Sequence, residues 1–217
     1  MQELIISPSV LSLDYSDMNG QIEELRKSKA KWLHFDVMDG HFVPNLTFGP
    51  DLLKGFKKAS ELFMDVHLMV SDPATVSKWF IDAGADLITF HLETCENIEA
   101  CLALCKEIRS RQVKVGVSVK PNTSINELLP HLDHMDLVLI MSVEPGFGGQ
   151  AFMADMLDKV KVLRHEIEQR QLTTRIQIDG GINEETGKQA IAAGCDTLVA
   201  GSYVFRRDIV KAIDSLL

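Results

Sequence analysis

The chain reads as a parallel (β/α)8 barrel of the TIM type, one domain over residues 1–217. Three observations predict it. Short apolar, β-branched runs alternate with amphipathic segments about eight times, and alternating βα units imply parallel strands. No linker or low-complexity segment separates them, and eight units in roughly 200 to 250 residues suit a closed barrel better than an open sheet. Finally, 82–88 echoes 192–198: a helix stops on Gly84 or Gly194, and Asp86 or Asp196 leads into a strand. The two glycines lie about half a chain apart, a weak sign of repeated units.

The elements follow in order. Residues 4–9 make a short strand broken at Pro8. Residues 15–29 place Met18, Ile22 and Leu25 at helical spacing, with Asp14 or Ser16 as the N-cap. In the strand 32–38, Trp32, Leu33, Phe35 and Val37 give apolar bulk. His34, Asp36 and Met38 fall on its other face, because side chains alternate with period two. A loop of turn residues at 39–45 leads to a helix over 50–58 and a strand over 62–68. Asp72-Pro73 opens the next helix, with proline in its first turn, and Gly84 ends it before a strand at 87–91. The rest alternates: helix 96–109, strand 113–119, short helix 125–132, strand 137–141, long helix 153–169 and strand 176–179. Gly180-Gly181 stops that strand, and a helix over 184–193 follows. The last strand, 197–200, closes on Gly201-Ser202 before a terminal helix over 206–216.

Composition narrows the function. A formal net charge of −9 argues against nonspecific binding to nucleic acid or anionic membrane. A hydrophobic content of 46 % with 24 % charged residues is that of a soluble globular chain with a sizeable core. No run of about 18 uncharged apolar residues is present to span a membrane. There is no basic-then-apolar leader at the N-terminus. The expectation is therefore a cytoplasmic enzyme with Cys95, Cys101, Cys105 and Cys195 as reduced, packed thiols.

The strand ends carry the chemistry. Ser9, His34, Asp36, Met38, His67, Met69, Met141 and Asp179 each sit at or just before the end of a predicted strand, where a barrel gathers its ligands. A His followed by a Met on the same face appears in 34–38, four residues apart, and again in 67–69, two apart. Two imidazoles and two carboxylates, His34, Asp36, His67 and Asp179, converge from three strands and make a site for one divalent metal. Mixed N and O donors fit Zn²⁺, put first here, and also Fe²⁺, Mn²⁺ or Co²⁺. Gly146-Phe147-Gly148-Gly149, Gly180-Gly181 and Gly201-Ser202 follow the sixth, seventh and eighth strands. Glycines let backbone N–H groups approach an anion, and barrel phosphate sites typically lie after strands seven and eight. These loops hold no Lys or Arg until Arg206, so a phosphate there would be held mainly by N–H dipoles.

Several long strings resemble the ribulose-phosphate 3-epimerase family. They are Ile6-Ser7-Pro8-Ser9-Val10-Leu11-Ser12, the run from His34 to Asn45, Asp65-Val66-His67-Leu68-Met69, the run from Met141 to Gln150, Asp179-Gly180-Gly181-Ile182-Asn183 and Ala200-Gly201-Ser202. The resemblance covers essentially the whole chain, in order. It implies metal ligation by His34, Asp36, His67 and Asp179, with Asp36 and Asp179 also the acid–base pair. It implies sugar-phosphate contacts at Ser9, His67, Asp179 and the three glycine loops. Met38, Met69 and Met141 match methionines that line the reacting centre. The implied reaction inverts C3 of a ketose phosphate, interconverting D-ribulose 5-phosphate and D-xylulose 5-phosphate, in a homo-oligomer.

Three rivals stand beside that reading, the last a catalytically silent sugar-phosphate binding protein, against which both aspartates and both histidines are retained. A ketohexose-phosphate epimerase, acting for example on D-allulose 6-phosphate, is the nearest, but such members depart from the Gly-Phe-Gly-Gly and Asp-Gly-Gly loops kept here. A Schiff-base aldolase using Lys120 at the end of the fifth strand is the second. Such a lysine needs a depressed pKa, and the residues around it, with Pro121 following, give no reason for one.

Overall fold

The computed structural model describes residues 2–217. Its strands are β1 (Ile5–Pro8), β2 (Trp32–Met38), β3 (Phe63–Met69), β4 (Leu87–His91), β5 (Lys114–Val119), β6 (Leu137–Met141), β7 (Arg175–Asp179) and β8 (Thr197–Ala200). All pair in parallel, in the order β1-β8-β7-β6-β5-β4-β3-β2. The remaining seam is closed by a parallel bridge between Ser9, just past β1, and His34 in β2. The predicted barrel is formed, and it closes at two of the residues marked by their chemistry.

Helices α1 (Met18–Lys27), α2 (Pro50–Ser60), α3 (Pro73–Asp82), α4 (Ile98–Ser110), α5 (Leu157–Gln169), α6 (Glu184–Ala193), α7 (Ser202–Phe205) and α8 (Ile209–Asp214) follow their strands. Three expectations are corrected. Residues 125–132 do not form an α-helix; a 3-10 helix covers Leu129–His134 instead. Pro130 lies in its first turn, where a missing N–H is tolerated, whereas a helix begun at 125 would carry it in the interior. The terminal helix starts at Ile209 rather than at 206, because Asp208 accepts the Lys211 N–H and caps α8, and the short α7 precedes it as a separate turn. At the other end, Asp14 accepts the Ser16 N–H and caps a 3-10 turn, so α1 begins only at Met18. The Asp72 cap and the proline in the first turn of α3 are as expected.

Two apolar cores flank the strands. The larger lies between barrel and helices, where Phe35 packs against Phe56 and Phe80 at centroid distances of 5.8 and 6.3 Å. Truncating such a buried ring costs about 3–5 kcal/mol. The smaller runs up the barrel interior, from Ile5, Trp32, Leu87 and Leu137 through Leu139 to Met141 and Val143 at the cavity. Trp32 therefore shares the inner face with His34, not the outer face with Leu33, as strict alternation requires. Its ring stacks on Phe63 at 4.4 Å, and the Arg175 guanidinium sits 5.9 Å above it.

The echo between the halves has a physical basis. Gly84 and Gly194 both adopt positive φ, the αL helix stop. Asp86 then accepts the Met64 N–H at 2.7 Å, and Asp196 accepts the Ile176 N–H at 3.2 Å. Asp136 does the same for Val115 at 2.9 Å. Each carboxylate fixes the start of a neighbouring strand, and Lys57 pairs with Asp86, Arg164 with Asp196 and Arg109 with Asp136.

Candidate active site and metal centre

Register sets the site. β2 and β3 align His34 with Asp65, Asp36 with His67 and Met38 with Met69, so alternate residues of both strands enter the barrel in matched layers. The lower layer is a buried polar knot. Asp65 Oδ2 accepts from Ser7 Oγ (2.9 Å), Gln177 Nε2 (2.6 Å) and His34 Nδ1 (2.8 Å). With Nδ1 committed to Asp65, His34 Nε2 points up into the site and has no hydrogen-bond partner among the described residues.

The upper layer assembles around that nitrogen. Asp36 Oδ1 lies 3.3 Å from His34 Nε2 and 3.2 Å from His67 Nδ1, while Asp36 Oδ2 accepts from Ser9 Oγ at 2.5 Å. Asp179 arrives from the end of β7, its Oδ2 3.8 Å from His34 Nε2. One donor atom from each of His34, Asp36, His67 and Asp179 falls within 4.8 Å of the others. An orphaned, fully buried imidazole nitrogen facing two carboxylates and a second imidazole fits a divalent cation. The four residues proposed from sequence are thus brought together, and they can hold one metal ion.

The electrostatics separate the two carboxylates. Burial acts to raise Asp36, but the His34 and His67 rings outweigh it and hold that carboxyl far below the usual range. Asp179 is pushed up to about 7 by burial and by the Asp36 charge, against the pull of His34. Burial works against a charged His34, yet Asp65 and Asp36 raise it well above an ordinary histidine. His67 is lowered, chiefly by burial. Without a cation, one carboxylate is a firm anion and the other exchanges its proton near neutrality, the split expected of like charges in one site.

A cavity of about 510 Å³ opens above the centre, with Asp36 and Asp179 at its base. Ser9, Met38, Met69, Met141 and the three glycine loops line it, Gly146, Phe147, Gly148, Gly149, Gly180, Gly181, Gly201 and Ser202 all included. His34 and His67 lie beneath it, fully buried. Gly180 and Gly181 have φ of +127° and +64°. A Cβ there would lie 2.6 Å from a Val143 methyl or from the Phe152 backbone nitrogen, so only glycine fits this turn. Asn45 Nδ2 donates to the Gly146 carbonyl, and Gln150 Nε2 donates to those of Glu144 and Phe147, which shapes the loop after β6.

Some functional neighbours escaped the sequence reading. Asp65, the acceptor that orients His34, sits mid-strand among apolar residues. His91 and Glu93 extend the cluster beyond His67; alternation along β4 marks Thr89 and His91 as inward but not their partners. Arg206 and Arg207 both reach the cavity rim. Lys120 does not line the cavity; its ammonium lies 3.8 Å over the Phe42 ring. All four thiols are free, and three are buried.

Fold and site together define a (β/α)8-barrel enzyme with a buried His/Asp centre able to hold a metal ion. The model of the ribulose-phosphate 3 epimerase family matches residues 5–205. The chain is 44 % identical over 201 residues to the ribulose-phosphate 3-epimerase of Mycobacterium leprae, covering 93 % of this chain and 88 % of that one. It is 40 % identical to that of Bacillus subtilis, with 97 % of both chains covered. Among solved structures, the fold matches 3-keto-L-gulonate-6-phosphate decarboxylase from Vibrio cholerae with a TM-score of 0.71 at 16 % identity, over 100 % of this chain and 96 % of that one. This chain belongs to the ribulose-phosphate 3-epimerase family and is an isomerase of the epimerase type.

Proposed function

We propose that residues 1–217 form one catalytic domain that interconverts D-ribulose 5-phosphate and D-xylulose 5-phosphate by inverting C3. The observation that carries the mechanism is the pair Asp36 and Asp179, delivered by β2 and β7 to one imidazole edge with opposite protonation tendencies. The C3 proton is acidified by the adjacent C2 ketone. One carboxylate removes it, leaving an enediolate, and the other, protonated, returns a proton to the opposite face. After one turnover the two carboxyls have exchanged roles, so the reverse reaction needs no resetting. His34, Asp36, His67 and Asp179 would hold the metal, with zinc the ion we put first. When bound, it supplies Lewis-acid stabilisation of the negative charge that develops.

The remaining residues position and protect. Ser9, through its hydrogen bond, fixes the rotamer of Asp36. The backbone N–H groups of Gly146–Gly149, Gly180–Gly181 and Gly201–Ser202 take the phosphate, with Arg206 and Arg207 adding positive potential at the rim. Met38, Met69 and Met141, each about 2–3 % exposed, wall the reacting centre with polarizable bulk and keep water from quenching the enediolate. The 146–150 loop, with Phe147 54 % exposed at its tip, serves as a lid over the substrate. We place the enzyme in the cytoplasm, which four free thiols support, as a homo-oligomer.

Assays with D-ribulose 5-phosphate and with D-allulose 6-phosphate test the substrate. A kcat/KM that favours the pentulose phosphate supports the reading, and preference for the hexulose phosphate moves the chain to the rival epimerase.

A further inference from the structure

Beyond the four donors, a line of polar groups runs outward from His67 through buried His91 to half-buried Glu93. His67 Nε2 lies 2.9 Å from His91 Nε2, and His91 Nδ1 lies 3.1 Å from Glu93 Oε2. The other Glu93 oxygen, Oε1, accepts the Lys120 backbone N–H at 2.6 Å. Both imidazoles are fully buried, so water cannot repair a mismatched contact. Including His67 Nδ1 against Asp36 Oδ1 at 3.2 Å, the two rings make three polar contacts.

Each contact has a proton requirement. Two neutral imidazoles carry two N–H protons, and three contacts of this kind need three protons or a cation in place of one. Glu93 accepts only, so it claims the proton on His91 Nδ1. That leaves His91 Nε2 as a lone pair, which claims the proton on His67 Nε2. The end without a proton is then His67 Nδ1, the nitrogen that faces Asp36 and the metal centre.

We propose that Glu93 and His91 are positioning residues that set the polarity of this line, holding His67 in its Nε2–H tautomer so that Nδ1 presents a lone pair to the metal ion. The inference rests on His67 being a metal donor and adds what orients it. It parallels the role of Asp65 at His34, where an acceptor on Nδ1 frees Nε2 instead. The two rings thus present opposite nitrogens because their acceptors lie on opposite sides. Outer partners of this kind typically change metal affinity about 10- to 100-fold.

Glu93→Gln tests the inference because it changes polarity with little change in shape. The Lys120 N–H still needs an oxygen, so the new amide must turn its NH₂ towards His91 Nδ1. His91 then becomes a lone pair at Nδ1 and N–H at Nε2, which opposes the N–H of His67. The experiment compares Zn²⁺ affinity of metal-stripped wild type and E93Q, using a competing chelator, and reads the ring ¹⁵N signals of the zinc-loaded wild type by NMR. The expected results are a 10- to 100-fold weaker Zn²⁺ affinity in E93Q, and protons on His67 Nε2 and His91 Nδ1 in wild type. Unchanged affinity in E93Q, or a wild-type His91 protonated at Nε2 alone, overturns the relay. The NMR reading decides the matter even where E93Q does not fold. Wild type that binds no Zn²⁺ would instead overturn the metal reading beneath it.

Discussion

Asp36 and Asp179 meet at one nitrogen: His34 Nε2 lies 3.3 Å from an oxygen of the first and 3.8 Å from an oxygen of the second. They come from β2 and β7, strands on opposite sides of β1 and β8 in the sheet. Asp36 is almost fully enclosed, whereas the Asp179 side chain keeps 18 % of its surface exposed to the cavity. Inversion at carbon needs proton transfer on two faces, and this arrangement supplies two carboxyls from two directions.

Replacing either carboxyl by its amide keeps shape and removes proton transfer. Asp36→Asn and Asp179→Asn should each lower kcat by roughly 10² to 10⁴, the usual range for a positioned acid or base. Steady-state kinetics on purified, metal-analysed protein reads the effect. Near-normal turnover in either variant would contradict the two-carboxylate mechanism.

Metal uptake should compete with protons. Asp179 is pushed up to about 7 without a cation, and His34 is raised as well. Ligation requires the deprotonated form of each. Zn²⁺ affinity of the stripped protein should therefore weaken as pH falls from 8 to 6, with proton release on binding. Calorimetry in buffers of different ionisation enthalpy measures both; a flat affinity over that range would contradict the assignment. His67→Ala should lower the bound metal per chain, as read by elemental analysis, and full metal content would remove His67 from the ligand set.

Acid stability carries a separate mark. Burial acts to raise Glu93, but hydrogen bonds from His91, Thr123 and the Lys120 N–H outweigh it and hold the carboxyl at about 2, against 4.5 for the free group. A depressed carboxyl stabilises the fold fully above its unfolded value, and the contribution disappears as pH falls from about 4.5 towards 2. The share is at most about 3 kcal/mol. In the metal-free protein, urea unfolding of E93Q should show a shallower stability loss across that window than wild type. Parallel curves would show that Glu93 carries none of it.

The Asp-Gly-Gly turn is built for glycine. Gly181→Ala forces φ near +64° on an alanine and drives its Cβ against the Phe152 backbone. Stability should fall by more than about 1 kcal/mol, and KM for the sugar phosphate should rise as the anion-binding N–H groups shift. Thermal unfolding and steady-state kinetics check this; unchanged values for both would contradict the role given to the turn.

Most of the fold was readable because βα alternation and glycine stops are local signals. The residues of the candidate metal centre were readable for the same reason: period-two alternation puts His34 and Asp36 on one face, and the register of β2 and β3 repeats it at His67. What escaped depends on contacts far apart in sequence. Asp65 is mid-strand, and only the fold brings Ser7 and Gln177 onto its carboxylate. Glu93 receives its meaning from His91 and from Lys120 just past the end of the next strand. Pro130 and Asp208 redirected two helices that apolar spacing alone had extended.

The most direct test is NMR of proton exchange in D₂O with D-ribulose 5-phosphate, before and after metal removal. Metal-dependent conversion to D-xylulose 5-phosphate with deuterium at C3 is the predicted result. Conversion that persists after verified metal removal would contradict the role given to the cation. Conversion with the original proton kept fully at C3 would contradict exchange through the two carboxyls.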